Sequence, residues 1–292
     1  MLAVVGLLCY FAVSAAFSLA SVRTVSQRRA RVHASSRASE AHQAAARFSD
    51  QQPLSISPHH KAKAESIQLW LDTVFNNVDY ERALDRADGA PDPFEGEDDD
   101  ESTTYGEFPL PFLVALLETL DPPPTARFLD LGSGRGQITF AAARSRPWSS
   151  CQGLEIVPQL HFIADEAGVA ARRLCGVNAL SCPVSFYLGD IYSGEATAAL
   201  LAGGETGESW GGKVLVFVYA TCLEVDAGGE LVRLAAALAA LPVGATVVTV
   251  NRPLPVLGGA FKLEGAYRGP NPEASTSETG ATSCAFVWSK EQ

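Results

Sequence analysis

Three glycines alternate with other residues directly after an apolar segment that contains an acid. Residues 127–131 are RFLDL, and Gly132, Gly134 and Gly136 follow before an Ala-rich stretch begins. A strand, a glycine loop and a helix start form the ligand-binding edge of doubly wound sheets. The spacing G-x-G-x-G differs from the dinucleotide pattern G-x-G-x-x-G, and Asp130 would repel a pyrophosphate. The loop therefore predicts a ligand that carries positive charge.

Two further acids follow the next two apolar segments. Glu155 lies in GLEI, 25 residues after Asp130, and Asp190 lies in LGDIY. An acid after the second strand can hold two ribose hydroxyls, while Asp190 can accept a hydrogen bond from an adenine amino group, with Ile191 against the ring. S-adenosylmethionine (SAM) fits this set because it has an ammonium, a sulfonium and no phosphate. We expect Asp130 to face the ammonium, and the glycine loop and helix start to face the carboxylate.

Apolar strands alternate with helices through most of the remaining chain. Near-continuous apolar strands separated by helices are typical of a parallel sheet covered on both faces. The last two strands have no helix between them, which predicts an antiparallel pair at the sheet edge. The sequence thus predicts an α/β fold with a doubly wound, mostly parallel, Rossmann-like sheet of seven strands and an antiparallel last strand. The predicted strands are 126–131, 151–156, 184–188, 213–218, 245–250, 261–267 and 283–290.

Helical periodicity predicts the elements that cover this sheet. Ser57 and Pro58 indicate a helix start, and the helix should dock on the main domain. Its apolar face consists of Ile67, Leu71, Val74 and Val78. Further helices are expected at 110–120, 137–145 and 158–174, with a short one after the third strand. The last predicted helix, 225–241, turns Leu231, Leu234, Leu238 and Leu241 inward.

The segments FLDLGSGRGQ, GLEI and LGDIY, in this order, resemble the class I SAM-dependent methyltransferases across roughly residues 103–292. Upstream, Tyr105-Gly106-Glu107 followed by a helix is similar to the disruptor-of-telomeric-silencing family, which methylates a lysine on the nucleosome surface. The resemblance implies that Glu107 and Gln137 join the residues around SAM, and that residues 105–107 fold over its methionine end. It also implies a protein-lysine N-methyltransferase.

The chain departs from that family after the fourth strand. The family carries an Asn pair there, whereas this chain has Tyr219-Ala220-Thr221. Tyr219 and Tyr105 are the catalytic candidates, as the lining of an aromatic channel that desolvates the acceptor lysine and lowers its pKa. Two alternatives stay open. Loss of the Asn pair favours a SAM-binding protein with little turnover, and a nucleotide-cofactor oxidoreductase could use a similar sheet, although Asp130 argues against it.

Charge and cysteine content restrict the partners. The chain has a formal charge of −11, and residues 41–292 carry 17 basic and 32 acidic side chains, a charge of −15. Phosphate contacts need clustered Lys and Arg, so this acidic body disfavours nucleic acid and the histone substrate. The six cysteines form no CxxC pair, and no metal site is expected. The nearest pair, Cys175 and Cys182, is expected to be two buried small hydrophobes.

The first forty residues have the composition of a targeting sequence. Residues 2–16 are mainly apolar, and residues 17–39 are rich in Ser, Ala and Arg without an acid. This order, with Phe17 after Ala16, resembles the plastid presequence of algae with complex plastids. A signal anchor, with membrane contact through this segment alone, is the alternative, and a chromatin substrate would require nuclear localisation. We divide the chain into a presequence (1–40), a linker with docking helix and acidic loop (41–102), and the methyltransferase domain (103–292).

Overall fold

A computed structural model of the chain describes residues 51–88, 90, 107–175, 180–192, 200, 213–255, 260–271 and 282–291. The proposed presequence, Tyr105, Gly106 and most of the acidic loop lie outside the described residues, as does most of the short helix expected after the third strand. Among the described residues no helix is long and apolar enough to cross a membrane.

The described part of the chain forms one sheet with helices around it. The strands are β1 (Gln52–Pro53), β2 (Arg127–Leu131), β3 (Ser150–Glu155), β4 (Val184–Leu188), β5 (Val214–Tyr219), β6 (Thr246–Val250), β7 (Phe261–Pro270) and β8 (Thr282–Lys290). The helices are α1 (Pro58–Phe75), α2 (Tyr80–Ala87), α3 (Leu110–Leu120), α4 (Gln137–Ser145), α5 (Pro158–Cys175) and α6 (Val232–Ala237).

The sheet order is β1-β7-β8-β6-β5-β2-β3-β4. All neighbours are parallel except β8, which is antiparallel to both β6 and β7. From β2 the chain proceeds to β3 and β4 on one side, and β5 and β6 lie on the other side. Such a reversal of strand order opens a crevice at the carboxyl ends of the strands. The predicted doubly wound, mostly parallel sheet with an antiparallel last strand is confirmed.

Alternating side chains along the strands build an apolar core on each face. Strand β2 directs Phe128 into one cluster and Leu129 and Leu131 into the other. Strand β5 divides in the same way, with Phe217 on the first face and Val216 on the second. Period-2 alternation of apolar residues on both faces is what a sheet between two helix layers requires.

Helix α1 begins as its sequence predicts. The hydroxyl of Ser57 accepts a hydrogen bond from the His60 amide, and His60 Nδ1 accepts one from the Ser57 amide. This reciprocal pair satisfies two amides at the helix start. The predicted apolar face is buried: Ile67, Leu71 and Val74 lie in the core with Val78, which follows the helix. The helix packs against α3, α4 and α5, so the predicted docking is confirmed.

The predicted helix at 225–241 is wrong in length. Only Val232–Ala237 is α-helical, followed by one 3-10 turn at Leu238–Ala240. The Asp226 carboxylate accepts hydrogen bonds from the amides of Gly228 and Glu230, and Gly229 has a φ of 78°. This side-chain turn competes with helix formation. The inward-facing residues were predicted correctly, since Leu231, Leu234, Leu238 and Leu241 are all buried.

The described sheet has eight strands where seven were predicted. The additional strand, β1, comes from the predicted linker and pairs in parallel with Tyr267 and Arg268 of β7. Arg268 Nε also donates to the Gln51 side chain at 2.9 Å. A two-residue strand has no periodicity that a sequence pattern could reveal. The predicted hairpin of the last two strands is confirmed, but β8 lies inside the sheet, between β6 and β7.

Candidate cofactor and acceptor site

The carboxyl ends of the parallel strands bring the predicted acids to one edge of the sheet. Asp130 is the penultimate residue of β2, Glu155 is the last residue of β3, and Asp190 follows β4 by two residues. Strands β2, β3 and β4 are adjacent and parallel, and Asp130 pairs in register with Gly153. Tyr219 ends β5, on the other side of β2. The sheet topology therefore places all four residues along the same crevice.

Asp130 is a buried carboxylate with a perturbed pKa. Asp130 is only 3% exposed to solvent, and its Oδ2 accepts a hydrogen bond of 2.7 Å from the Thr139 hydroxyl. Desolvation raises the pKa of Asp130 to about 7, with a smaller contribution from the negative charge of Glu155. A positive ligand nearby would favour the ionised carboxylate.

The glycine loop has a backbone that other residues rarely adopt. Gly132, Gly134 and Gly136 have φ values of 80°, 55° and 87°. A Cβ on Gly136 would come within 2.6 Å of the Phe186 ring, whereas a Cβ on Gly132 would meet no atom within 4 Å. Gly136 is thus required for close packing against β4. Gly132, by contrast, borders open space that a ligand can use.

Glu155 is bound to the loop by backbone amides. The Gly134 amide donates to its Oε2 at 2.7 Å, and the Val157 amide donates to its Oε1 at 2.9 Å. Desolvation raises the pKa of Glu155, and these amides oppose the rise. The amides of Gly132 and Ser133 donate to the Leu154 carbonyl. Because these loop amides have partners within the protein, the start of α4 is left as the expected contact for a ligand carboxylate.

Asp190 and Ile191 form the far end of the crevice. The Asp190 Oδ1 accepts a hydrogen bond of 2.8 Å from the Tyr192 amide, and Ile191 packs against the apolar cluster on the second face of the sheet. The Arg233 guanidinium lies 4.2 Å from the centre of the Tyr192 ring. Burial raises the pKa of Tyr192 to about 12, so this phenol stays neutral.

Arg135, between two of the glycines, connects the other two predicted SAM contacts. Its guanidinium forms an ion pair with Glu107 and donates to the Gln137 Oε1 at 3.1 Å. The same group lies 4.6 Å from the centre of the Phe75 ring in α1. Sequence reasoning missed Arg135, although a charged residue inside a glycine loop was a signal. The arginine ties the segment before α3 and helix α1 to the loop.

Tyr219 lies in an aromatic and amide environment at the end of β5. Its ring meets the buried Phe108 ring with 5.5 Å between centroids, and its hydroxyl accepts a hydrogen bond of 3.1 Å from Asn271 Nδ2. Asn271 is fully buried and also donates to the Ser283 hydroxyl at 2.8 Å. Asn271 was missed because nothing in its sequence context indicated it. The other catalytic candidate, Tyr105, lies outside the described residues.

The described residues contain no group of three or more His, Cys, Asp or Glu side chains that could hold a metal ion. The carboxylates at the crevice are instead spread over successive strand ends, with backbone amides and a hydroxyl as their partners. This arrangement can hold an elongated organic ligand at several points along its length.

Two comparisons of the amino-acid sequence with known proteins found similarities. The sequence model of a family described as histone methylation protein DOT1 matches residues 98–202. A histone-lysine N-methyltransferase, H3 lysine-79 specific, of Candida albicans is 34% identical over 92 residues, which are 31% of this chain and 7% of that protein. The chain therefore matches only a small part of the length of this curated relative.

Two solved structures have weaker similarity to this chain. TrmN from Thermus thermophilus has 21% identity and a TM-score of 0.41, over 65% of this chain and 51% of that chain. An RNA methyltransferase from Salinibacter ruber in complex with S-adenosyl-L-homocysteine has 21% identity and a TM-score of 0.37, over 64% of this chain and 95% of that chain.

The family match coincides with the crevice. Its residues 98–202 include Glu107, Asp130, Gln137, Glu155 and Asp190, as well as the glycine loop. The sheet, with its reversed last strand, is the one that the class I resemblance implied. The chain therefore has the doubly wound sheet that the class I resemblance implied and, in residues 98–202, a segment that matches the family described as histone methylation protein DOT1.

Proposed function

We propose that this protein is a SAM-dependent protein-lysine N-methyltransferase. One observation carries the proposal: the residues expected to contact SAM meet at one edge of the sheet, and all of them lie inside the segment that matches the DOT1 family. The Candida albicans relative, named as a histone-lysine N-methyltransferase, supports a lysine as the acceptor.

The residues of the crevice fit a cationic cofactor. Asp130 and Glu155 are two buried carboxylates whose pKa values are raised by desolvation, and a positive group beside them would relieve this cost. The open space at Gly132 allows a ligand to approach the backbone of the loop. Asp130 would hold the ammonium end, Glu155 the ribose, and Asp190 with Ile191 the adenine.

The chain's own contribution to methyl transfer is alignment and exclusion of water. When bound, SAM supplies a methyl group on a sulfonium for in-line displacement. The residues around it would fix its orientation, which lowers the entropic cost of bringing the methyl group and its acceptor together. A lysine in water has a pKa of about 10.4, and it must lose its proton before it can accept a methyl group. The packed rings of Phe108 and Tyr219 offer an apolar wall that would lower this pKa by desolvation.

A binding and labelling experiment tests the proposal. Titration calorimetry of the full-length chain should show one SAM site, and incubation with labelled SAM and a cell lysate should label protein lysines. Tighter binding of NAD than of SAM would contradict the assignment of SAM as the cofactor and would favour an oxidoreductase. SAM binding without any label transfer would favour the second candidate, a SAM-binding protein with little turnover. The specific observation for that candidate is Tyr219-Ala220-Thr221 in place of the Asn pair.

We further propose that residues 1–40 deliver the protein to the plastid of an alga with complex plastids. Support comes from composition: an apolar segment, Phe17, and an acid-free Arg- and Ser-rich stretch to residue 39. A fluorescent fusion of residues 1–45 expressed in such an alga should enter the plastid. Retention on endomembranes would instead indicate a signal anchor, and nuclear fluorescence of the full-length fusion would favour a chromatin substrate.

A further inference from the structure

Two cysteines from different strands bring their sulfur atoms together. Cys151, the second residue of β3, has its Sγ 3.5 Å from the Sγ of Cys182, two residues before β4. The Cys151 amide donates to the Pro183 carbonyl at 2.9 Å, so the backbones are held beside each other. Both side chains belong to the same apolar cluster. The expectation that Cys175 and Cys182 are both buried is wrong for Cys182, which is half-buried, and the Cys175 side chain lies outside the described residues.

The two thiols differ in access to solvent. Cys151 is fully buried, whereas Cys182 is half-buried. The contact with Cys151 lowers the pKa of the Cys182 thiol, and burial raises that of Cys151 well above its usual range. A half-buried thiol with a lowered pKa beside a buried thiol is the arrangement in which the first sulfur reacts with an external disulfide and the second resolves the mixed disulfide.

We propose that Cys151 and Cys182 are a redox-active dithiol that closes to an intramolecular disulfide by exchange with a small disulfide such as oxidised glutathione. The Cys182 thiolate attacks one glutathione sulfur, forms a mixed disulfide and releases one glutathione thiolate. The Cys151 sulfur then attacks Cys182 Sγ and breaks the mixed disulfide bond, and the second glutathione leaves as a thiol that takes up the Cys151 proton. The two cysteines are oxidised together by two electrons, and one oxidised glutathione is reduced to two thiols.

The reaction needs only a small local movement, because the sulfurs are already in contact. The disulfide would join β3, which ends at Glu155, to the segment that begins β4. Neither cysteine is among the residues expected to contact SAM. The inference is therefore independent of the proposed methyltransferase activity.

Peptide mapping of the folded full-length chain tests this proposal. The reduced, folded protein is incubated with oxidised glutathione, then alkylated in denaturant so that buried thiols also react, digested and analysed by mass spectrometry. We expect the alkylated forms of Cys151 and Cys182 to disappear together, a peptide pair that joins them to appear, and reduced glutathione to reverse the change. A stable glutathione adduct on Cys182 with Cys151 still alkylated would overturn the proposal, as would alkylation of both cysteines after prolonged oxidation.

Three variants and one denatured control separate the roles. Cys151→Ser should stop at the glutathione adduct on Cys182, and Cys182→Ser should leave Cys151 reacting about tenfold more slowly than wild-type Cys182. Cys284→Ser removes a matched buried cysteine and should leave the 151–182 disulfide unchanged. In urea, the 151–182 bond should fall to a small share of all disulfides. An equal share in the folded and unfolded chains would show that the fold does not direct the pairing.

Discussion

At the scale of single residues, Asp130 has the most unusual environment in the crevice. Its pKa of about 7 means that the folded protein binds the proton of this carboxyl more tightly than the unfolded chain does. The stabilising effect of that proton is complete below the unfolded pKa near 4 and is lost as pH rises through about 7. At neutral pH, a bound cation would therefore take over the role of the proton.

We predict that Asp130→Asn weakens SAM binding about 10- to 100-fold, because a hydrogen bond to a charged group is worth about 1.5–3 kcal/mol. The wild-type affinity should rise between pH 5.5 and 7.5 as Asp130 ionises, and the variant should lose this dependence. Calorimetry at several pH values measures both effects. Asp85→Asn changes an exposed acid on α2 and serves as the control. An unchanged pH profile in Asp130→Asn would contradict the assignment.

The ion pair of Arg135 with Glu107 gives a second prediction at this scale. Both side chains are about a quarter exposed, 24% and 27%, so solvent screens the pair only in part. We expect Arg135→Met and Glu107→Gln each to weaken SAM binding. The fold loss in affinity of the double variant should be smaller than the product of the two single fold losses. The coupling energy should be about 1 kcal/mol.

Calorimetric affinities of the two single variants and the double variant measure this coupling. Arg144→Met removes the arginine of α4 that lies over Trp70, and it should leave the affinity unchanged. Strictly additive effects of Arg135→Met and Glu107→Gln would show that the pair does not act as a unit at the cofactor site.

At the scale of elements, the turn from β2 into α4 decides how closely the loop packs on the sheet. Gly136 has a left-handed backbone, caps α4 and lies against the Phe186 ring of β4. Gly244 has nearly the same φ, 84°, but a Cβ there would meet no atom within 4 Å. Alanine substitutions at these two glycines can therefore distinguish the cost of backbone strain from the cost of steric overlap.

We predict that Gly244→Ala lowers the free energy of unfolding by about 1–2 kcal/mol, the cost of a left-handed alanine. Gly136→Ala should lose at least about 1 kcal/mol more, because the half-buried Phe186 ring must move away from the added methyl group. It should also weaken SAM binding, while Gly244→Ala should not. Urea unfolding of both variants measures the difference, and equal losses would mean that the ring accommodates the methyl group freely.

At the scale of the whole molecule, charge and family resemblance point to different substrates. The relative of known specificity acts on histone H3, but residues 41–292 of this chain carry a charge of −15. Nucleosome binding needs basic contacts to DNA phosphates, and an acidic surface is repelled by DNA at short range. Screening at about 0.1 M salt leaves a repulsion range of about 10 Å.

We predict that residues 41–292 neither shift nucleosomes in a gel at about 0.1 M salt, where the screening length is about 10 Å, nor methylate their histones. When the same protein is incubated with labelled SAM and a lysate, it should label non-histone proteins. This labelling serves as the activity control. Robust methylation of nucleosomal H3 would sink this prediction and would show that the DOT1-type segment determines the substrate despite the net charge.

The sequence by itself determined the sheet and the order of the acids along it. Apolar strands that alternate with helices must form a parallel sheet, and the carboxyl ends of parallel strands share one edge. For that reason Asp130, Glu155 and Asp190 could be placed in one crevice from their positions after three strands. The starts of α1 and α4 were equally readable, because caps and glycine loops act through neighbouring residues.

Only the tertiary structure decided which distant side chains meet. Arg135 pairs with Glu107 across 28 residues, Asn271 reaches Tyr219 across 52, and Cys182 meets Cys151 across 31. The two-residue strand β1 was also decided by an available sheet edge. Such contacts depend on register and on the path of the connecting segments. A periodic pattern records which face a residue occupies, but it carries no information on which residue of another element lies opposite.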